Sequence, residues 1–291
     1  MTIILRIISV LVSLFFVALL TFTGCMTFRT SDQKVLKTFE KEDVAVQIKR
    51  IPFEDREIRY VESGMRVWDT ISPPMIVFVH GAPGSEDNFH KYLKDSTLLN
   101  NFQMASLDRP GYGYSGYGKS VPSIEAQAQA VKAVIDQFPN SKPILVGHSY
   151  GGPIIAKCAM DFPERLAAIV MLAPVNDPET EKIFWYAYFA KWGITRWMLS
   201  KALRVSGDEK FAHPDELRKI QDEWSKINIP IIHIHGMKDK QLAPSKGNIA
   251  FSKTHINPDI LNMIVIDKTG HMIPWSDYDI VKQELLKLLM K

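Results

Sequence analysis

The sequence predicts an α/β fold: a mostly parallel sheet of eight strands, helices on both faces, and an insertion between the sixth and seventh strands. Three observations lead there. Strand-like runs alternate with segments of helical period along the chain. The later runs are short, continuously apolar and β-branched, as strands covered on both faces are. No internal repeat, low-complexity segment or long Gly/Ser linker divides the 291 residues, so they read as one domain with an insertion.

The elements follow in order. Residues 1–24 place one cation, Arg6, before an almost unbroken apolar run to Phe22, with small residues ahead of Cys25, which is the layout of a secretion signal. The run from Ile7 to Phe22 is short against the roughly 20 residues that span a hydrocarbon core, which favours a cleaved signal over a permanent helix. Phe22-Thr23-Gly24-Cys25 resembles the bacterial lipobox, with Phe22 standing where Leu is usual. The resemblance implies cleavage before Cys25, a lipid on that cysteine, and an exported protein held at a membrane of the bacterial cell envelope. Each buried CH2 of such a lipid contributes about 0.8 kcal/mol, so more than one acyl chain anchors stably. An uncleaved N-terminal helix is the alternative anchor. Residues 25–43, polar from Thr30 to Lys41, are expected to be a tether, and 44–291 the folded domain.

Strands are expected at Val44 to Ile51, Glu57 to Ser63, Met75 to His80, Phe102 to Asp108, Pro143 to His148, Leu166 to Ala173, Pro230 to Gly236 and Leu261 to Asp267. Helical period marks Ser85 to Leu99, Ser123 to Phe138, Tyr150 to Phe162 and Asp277 to Met290. Composition agrees with a large core: 46% of residues are hydrophobic and 23% charged. A net charge of +3, with no Lys/Arg block interleaved with aromatics, argues against a nucleic-acid partner. Without Cys25 the domain has only Cys158, so it forms no internal disulfide and must rely on packing; Cys158 is expected to be a small buried residue.

In sheets of this kind ligands sit at the carboxyl ends of the strands. After the fifth strand, Gly147-His148-Ser149-Tyr150-Gly151 matches G-x-S-x-G between a strand and a helix. The glycines let so sharp a corner close, and the helix beyond favours developing negative charge. A serine there needs a base and a group to orient the base. His271 follows the last strand and Asp239 the strand before it, so the acid and base stand in the chain order Ser149, Asp239, His271.

From about Val44 to the C-terminus the chain resembles the α/β-hydrolase superfamily, and the resemblance implies that fold. It makes Ser149 the nucleophile, His271 the base, and Asp239, in the G-x-x-D-x-x-x-P-like GMKDKQLAP, the acid; Asp177 in LAPVNDP is the competing acid. His80-Gly81-Ala82-Pro83-Gly84 matches the H-G-x-P-G loop, which assigns the oxyanion hole to the backbone N–H groups of Ala82 and Tyr150. His80 itself is read as structural, and the D-R-P-G-x-G-x-S match at Asp108 to Ser115 as loop architecture. His233 and His235 alternate on one strand without an accompanying Cys, Asp or Glu cluster, so no metal site is expected, and the chemistry requires no cofactor.

The insertion, at about 176–226, falls where this superfamily carries a lid. Phe184, Trp185, Tyr188, Phe189, Trp192 and Trp197 either line an apolar substrate pocket or pack the lid onto the domain; a third reading, shallow contact with a bilayer, has no run of basic residues to support it. The implied reaction is acyl transfer to water on small or medium apolar acyl substrates, as in a carboxylesterase. A C–C bond hydrolase, a prolyl-type aminopeptidase and a cofactor-free haloperoxidase share these motifs. A non-catalytic envelope binding protein is the alternative of another class. The serine at the elbow excludes relatives that use aspartate there, such as epoxide hydrolases and haloalkane dehalogenases.

Overall fold

The computed structural model describes residues 5–8, 10–11, 13, 26–65, 74–183, 185–240 and 242–290; Cys25, Phe184 and most of the expected signal segment lie outside them. Eight strands form close to the expected positions: β1 (Val46–Phe53), β2 (Arg56–Ser63), β3 (Met75–Val79), β4 (Gln103–Leu107), β5 (Ile144–His148), β6 (Ala168–Leu172), β7 (Ile231–Gly236) and β8 (Leu261–Ile266). They make one sheet in the order β1-β2-β4-β3-β5-β6-β7-β8, antiparallel at β1/β2 and β2/β4 and parallel elsewhere.

Alternation explains why the central strands are apolar throughout. Val77, Val79, Leu145, Ile169 and Met171 face one core, with Val131, Ile154 and Cys158. Their neighbours Ile76, Phe78, Val146, Val170 and Leu172 face the other, with Tyr92, Leu98, Val281 and Leu285. Both faces are therefore withdrawn from water, as the continuous apolar runs require. Cys158 is buried and unpaired, and burial pushes its thiol up, away from reactivity.

The main helices are α1 (Asp32–Glu40), α2 (Ser96–Asn101), α3 (Ile124–Ile135), α4 (Gly151–Asp161), α5 (Lys201–Ile220), α6 (Ser245–His255) and α7 (Tyr278–Lys287). Two expectations need correcting. The stretch read as a tether, 25–43, contains α1, capped by Ser31 and docked through fully buried Val35 and Phe39. Four-residue spacing puts those two side chains on one face, and each contributes about 1.5–3 kcal/mol on burial. The helix expected over Ser85 to Leu99 breaks into turns at Glu86–Phe89 and His90–Leu93 before α2. Asp95 causes the second break, because its carboxylate accepts from the Leu98 N–H at 2.9 Å and starts α2 as an N-cap. No described helix is long and apolar enough to cross a membrane.

Because β3, β5, β6, β7 and β8 run parallel, the segments after them reach one edge of the sheet. The loop at 80–84, the corner at 149, and the loops holding 239 and 271 converge there.

Candidate active site

Ser149 sits between β5 and α4 with φ of 54°, the left-handed region that a serine rarely adopts. The corner has no room for side chains beside it. A Cβ on Gly147 would come within 2.4 Å of the Gly151 carbonyl oxygen, and one on Gly151 within 2.3 Å of the Val79 carbonyl oxygen. The strained turn is held by hydrogen bonds from Ser149 N–H to the Leu172 carbonyl at 3.0 Å and from Gly152 N–H to the Ser149 carbonyl at 2.9 Å. Ser149 is thereby lifted off the sheet and left half-buried, at the N-terminus of α4.

The loops after β7 and β8 meet at a carboxylate–imidazole pair: His271 Nδ1–H donates to Asp239 Oδ2 at 2.5 Å. Asp239 Oδ1 also accepts the Ala243 N–H at 3.1 Å. Burial pushes the Asp239 carboxyl up, but the bond and charge of His271, with the Ala243 N–H, outweigh it and hold the group below its ordinary value. It is therefore an anion at neutral pH and engages Nδ1 of His271, so that Nε2 is the ring nitrogen the acid leaves free. Asp177 stands elsewhere. Its carboxylate accepts the Glu179 N–H at 3.0 Å while its own N–H donates to Asn248 Oδ1 at 3.0 Å.

His148 joins the two halves, a residue that sequence reading passed over although it stands inside the quoted motif. Its Nε2–H donates to the His271 carbonyl at 3.0 Å, and the two rings lie 4.9 Å apart. Burial, then the neighbouring His271, push His148 down to about 3, so it stays neutral and keeps that proton. Among the described residues the Ser149 hydroxyl makes no hydrogen bond to His271; such bonds often form only once substrate is bound.

The 80–84 loop lies against the elbow: a Cβ on Gly81 would stand 3.0 Å from the Ser149 Cβ. Among the described residues, neither the Ala82 nor the Tyr150 N–H has a hydrogen-bond partner. His80 is fully buried and neutral, with its Nδ1–H on the Gly81 carbonyl at 2.7 Å and its Nε2 accepting the Arg109 N–H at 3.0 Å. Asp108 binds backbone, accepting from the Glu86 and Tyr114 N–H groups at 2.9 Å, and adds an ion pair to Arg59 at 3.0 Å. His233 and His235 use all four ring nitrogens on protein partners. The bonds run through Ser252 Oγ, each other and the Ala243 carbonyl, all at 2.9 Å, and so buttress the loop that carries Asp239.

In the insertion, turns at Trp185–Ala187, Tyr188–Lys191 and Gly193–Arg196 precede α5. Ala190, Met198, Ala202 and Val205 are buried, whereas Trp185, Tyr188, Trp192 and Trp197 are 74%, 38%, 53% and 59% exposed. The small and aliphatic side chains pack the lid down, which leaves the large rings outside, where Tyr188 and Phe189 each lie about 6 Å from Trp192. Of the six aromatics singled out in the sequence, these four are thus exposed and Phe189 is half-buried, while Phe184 lies outside the described residues.

A family model described as alpha/beta hydrolase fold matches residues 74–195. Over 247 residues the chain is 21% identical to the uncharacterized hydrolase YugF of Bacillus subtilis, covering 72% of this chain and 88% of that one. It is 27% identical to the dihydrolipoyllysine-residue acetyltransferase component of the acetoin cleaving system of Cupriavidus necator, where the match covers 47% of this chain but only 34% of that longer protein. Among solved structures, an esterase from Exiguobacterium antarcticum superposes with a TM-score of 0.64 at 19% identity, covering 84% of this chain and all of that one. The architecture is the α/β-hydrolase fold.

Proposed function

We propose that this chain, built on the α/β-hydrolase fold, is a serine hydrolase of that superfamily that transfers an acyl group from a small or medium apolar ester to water. The observation that carries the reading is the meeting of a strained, half-buried Ser149 with an Asp239–His271 pair at one edge of the sheet. In the reaction so inferred, Nε2 of His271 takes the Ser149 proton as Oγ bonds to the ester carbonyl carbon. The carbonyl oxygen becomes an anion facing the Ala82 and Tyr150 N–H groups. Collapse expels the alkoxide, which leaves as alcohol with the proton from His271. A water, deprotonated by the same nitrogen, then attacks the acyl carbon and releases the carboxylic acid and Ser149. One good oxyanion donor is worth roughly 3 kcal/mol in such a transition state.

The test is covalent. A fluorophosphonate labels the wild type and leaves Ser149→Ala unlabelled, and the same variant loses ester hydrolysis. A folded wild type that takes no label removes the reading in favour of a binding protein. Esters, amino-acyl amides and vinylogous diketones assayed side by side separate esterase from peptidase and C–C bond hydrolase.

We also propose that the domain is exported and held at a membrane through Cys25. The course of the described chain supports this: Met26 enters beside the lid, its carbonyl accepting from Ser200 Oγ at 2.7 Å, and Thr27 follows with its carbonyl on the Tyr117 hydroxyl at 3.1 Å. An anchor just before Met26 holds the exposed lid tryptophans near the bilayer surface, a depth that suits indole rings. Mass spectrometry of the mature N-terminus is expected to show an acylated Cys25; a mature chain with that cysteine unmodified rules out the lipid.

A further inference from the structure

The Gly81 carbonyl accepts two hydrogen bonds, from His80 Nδ1–H at 2.7 Å and from Arg109 Nη2–H at 3.0 Å. That oxygen belongs to the same amide as the Ala82 N–H. Because the amide is planar, pinning its oxygen fixes where the N–H points, and a donor on the oxygen strengthens the N–H as a donor in turn. The same guanidinium lies 4.8 Å from the ring of Tyr150, whose backbone supplies the other N–H at the elbow.

Arg109 is itself gripped from the lid. Glu209 on α5 takes it bidentately, Nη1 to Oε1 at 2.8 Å and Nη2 to Oε2 at 3.1 Å, and also accepts from the Tyr112 hydroxyl and Gln127 Nε2, both at 2.7 Å. Arg109, Glu209, Tyr112 and Gln127 are all fully buried. Apolar side chains of similar size would tie α5 to the domain as well or better. The buried charge is thus explained by what else the guanidinium does, which is to hold the Gly81 carbonyl.

We propose that Arg109 is a positioning residue of the oxyanion hole, aligning and polarising the Ala82 N–H through the Gly81 carbonyl, and that Glu209 makes this alignment depend on the seating of the lid helix. The proposal rests on the serine-hydrolase reading above. In Arg109→Lys the ammonium keeps the charge opposite Glu209 but lacks the fork that serves Glu209 and Gly81 together. With p-nitrophenyl acetate as probe, kcat is expected to fall about 10- to 100-fold with KM little changed, since the lost interaction matters most when the oxygen is an anion. The rate of fluorophosphonate labelling falls in parallel.

Tyr112→Phe separates this from a purely structural role: it removes one bond to Glu209 and leaves Arg109 on Gly81, so it lowers the melting temperature and leaves kcat unchanged. Should Arg109→Lys not fold, Glu209→Gln serves, with kcat expected to fall several-fold at constant KM. Folded Arg109→Lys or Glu209→Gln with wild-type kcat, or a loss that merely tracks the unfolded fraction, overturns the proposal while the hydrolase reading stands. A folded wild type that neither takes the label nor turns over ester in the wider screen overturns both.

Discussion

Asp239→Asn lowers kcat for any ester the protein hydrolyses by about ten-thousandfold, whereas Asp177→Asn leaves it nearly unchanged. The size of the first effect follows from proton placement. Asp239 Oδ1 is engaged by the Ala243 N–H at 3.1 Å, so an asparagine there keeps its carbonyl oxygen on that donor and turns its NH2 toward His271 Nδ1. Nδ1 then has to accept, and the imidazole proton moves to Nε2, the nitrogen that in the proposed reaction takes the proton of Ser149. The substitution barely changes volume, so the folded state survives and the loss appears in kcat at near-constant melting temperature. Asp177 makes its hydrogen bonds to Glu179 and Asn248, and removing its charge changes no tautomer at His271. An active Asp239→Asn together with an inactive Asp177→Asn would move the acid to the loop after β6.

Stability falls steeply as pH drops below about 6.5. Of the five histidines buried among the described residues, one, His213, lies against the Glu181 carboxylate, while His80, His148, His233 and His235 are held neutral by the fold. Burial is the first cause of lowering in every case, and it takes His148 to about 3. The unfolded chain regains the ordinary histidine value, so below about 6.5 it binds protons that the folded state refuses, and stability rises with pH across that window. Each such group adds a slope approaching about 1.4 kcal/mol per pH unit. Asp108 opposes them, because burial, then Glu86, raise it to about 6 and the folded state takes up that proton first. The buried neutral histidines outnumber it, so the net slope stays positive, against a total stability of only about 5–15 kcal/mol. Urea unfolding at pH 7 and pH 5.5 measures this directly, with a large drop in midpoint expected. Equal midpoints would mean that these histidines take up protons within the fold.

The central strands were legible because their reason for forming is local: a run of β-branched and aliphatic residues is written in consecutive positions. The elbow was legible for the same reason, since the strain at Ser149 demands glycine at 147 and 151, two residues away on each side. Legibility failed where burial came from far along the chain. Helix α1 hides its purpose in two apolar positions, Val35 and Phe39, within a polar stretch. Helix α6 buries Ser245, Asn248 and Ser252 beside Phe251, so its inward face carries almost no hydrophobic signal.

The sequence therefore settled the succession of the strands, the strained corner at Ser149 and the chain order of Ser149, Asp239 and His271, because short-range periodicity and steric need are carried by neighbouring residues. Folding in three dimensions was required to bring His271 to Asp239 rather than Asp177, to turn the lid tryptophans outward, and to seat Arg109 between Glu209 and the Gly81 carbonyl. Those outcomes depend on distances between residues as much as 100 positions apart. A buried ion pair or a shared proton has no local pattern, since its energy exists only once both partners have left water together.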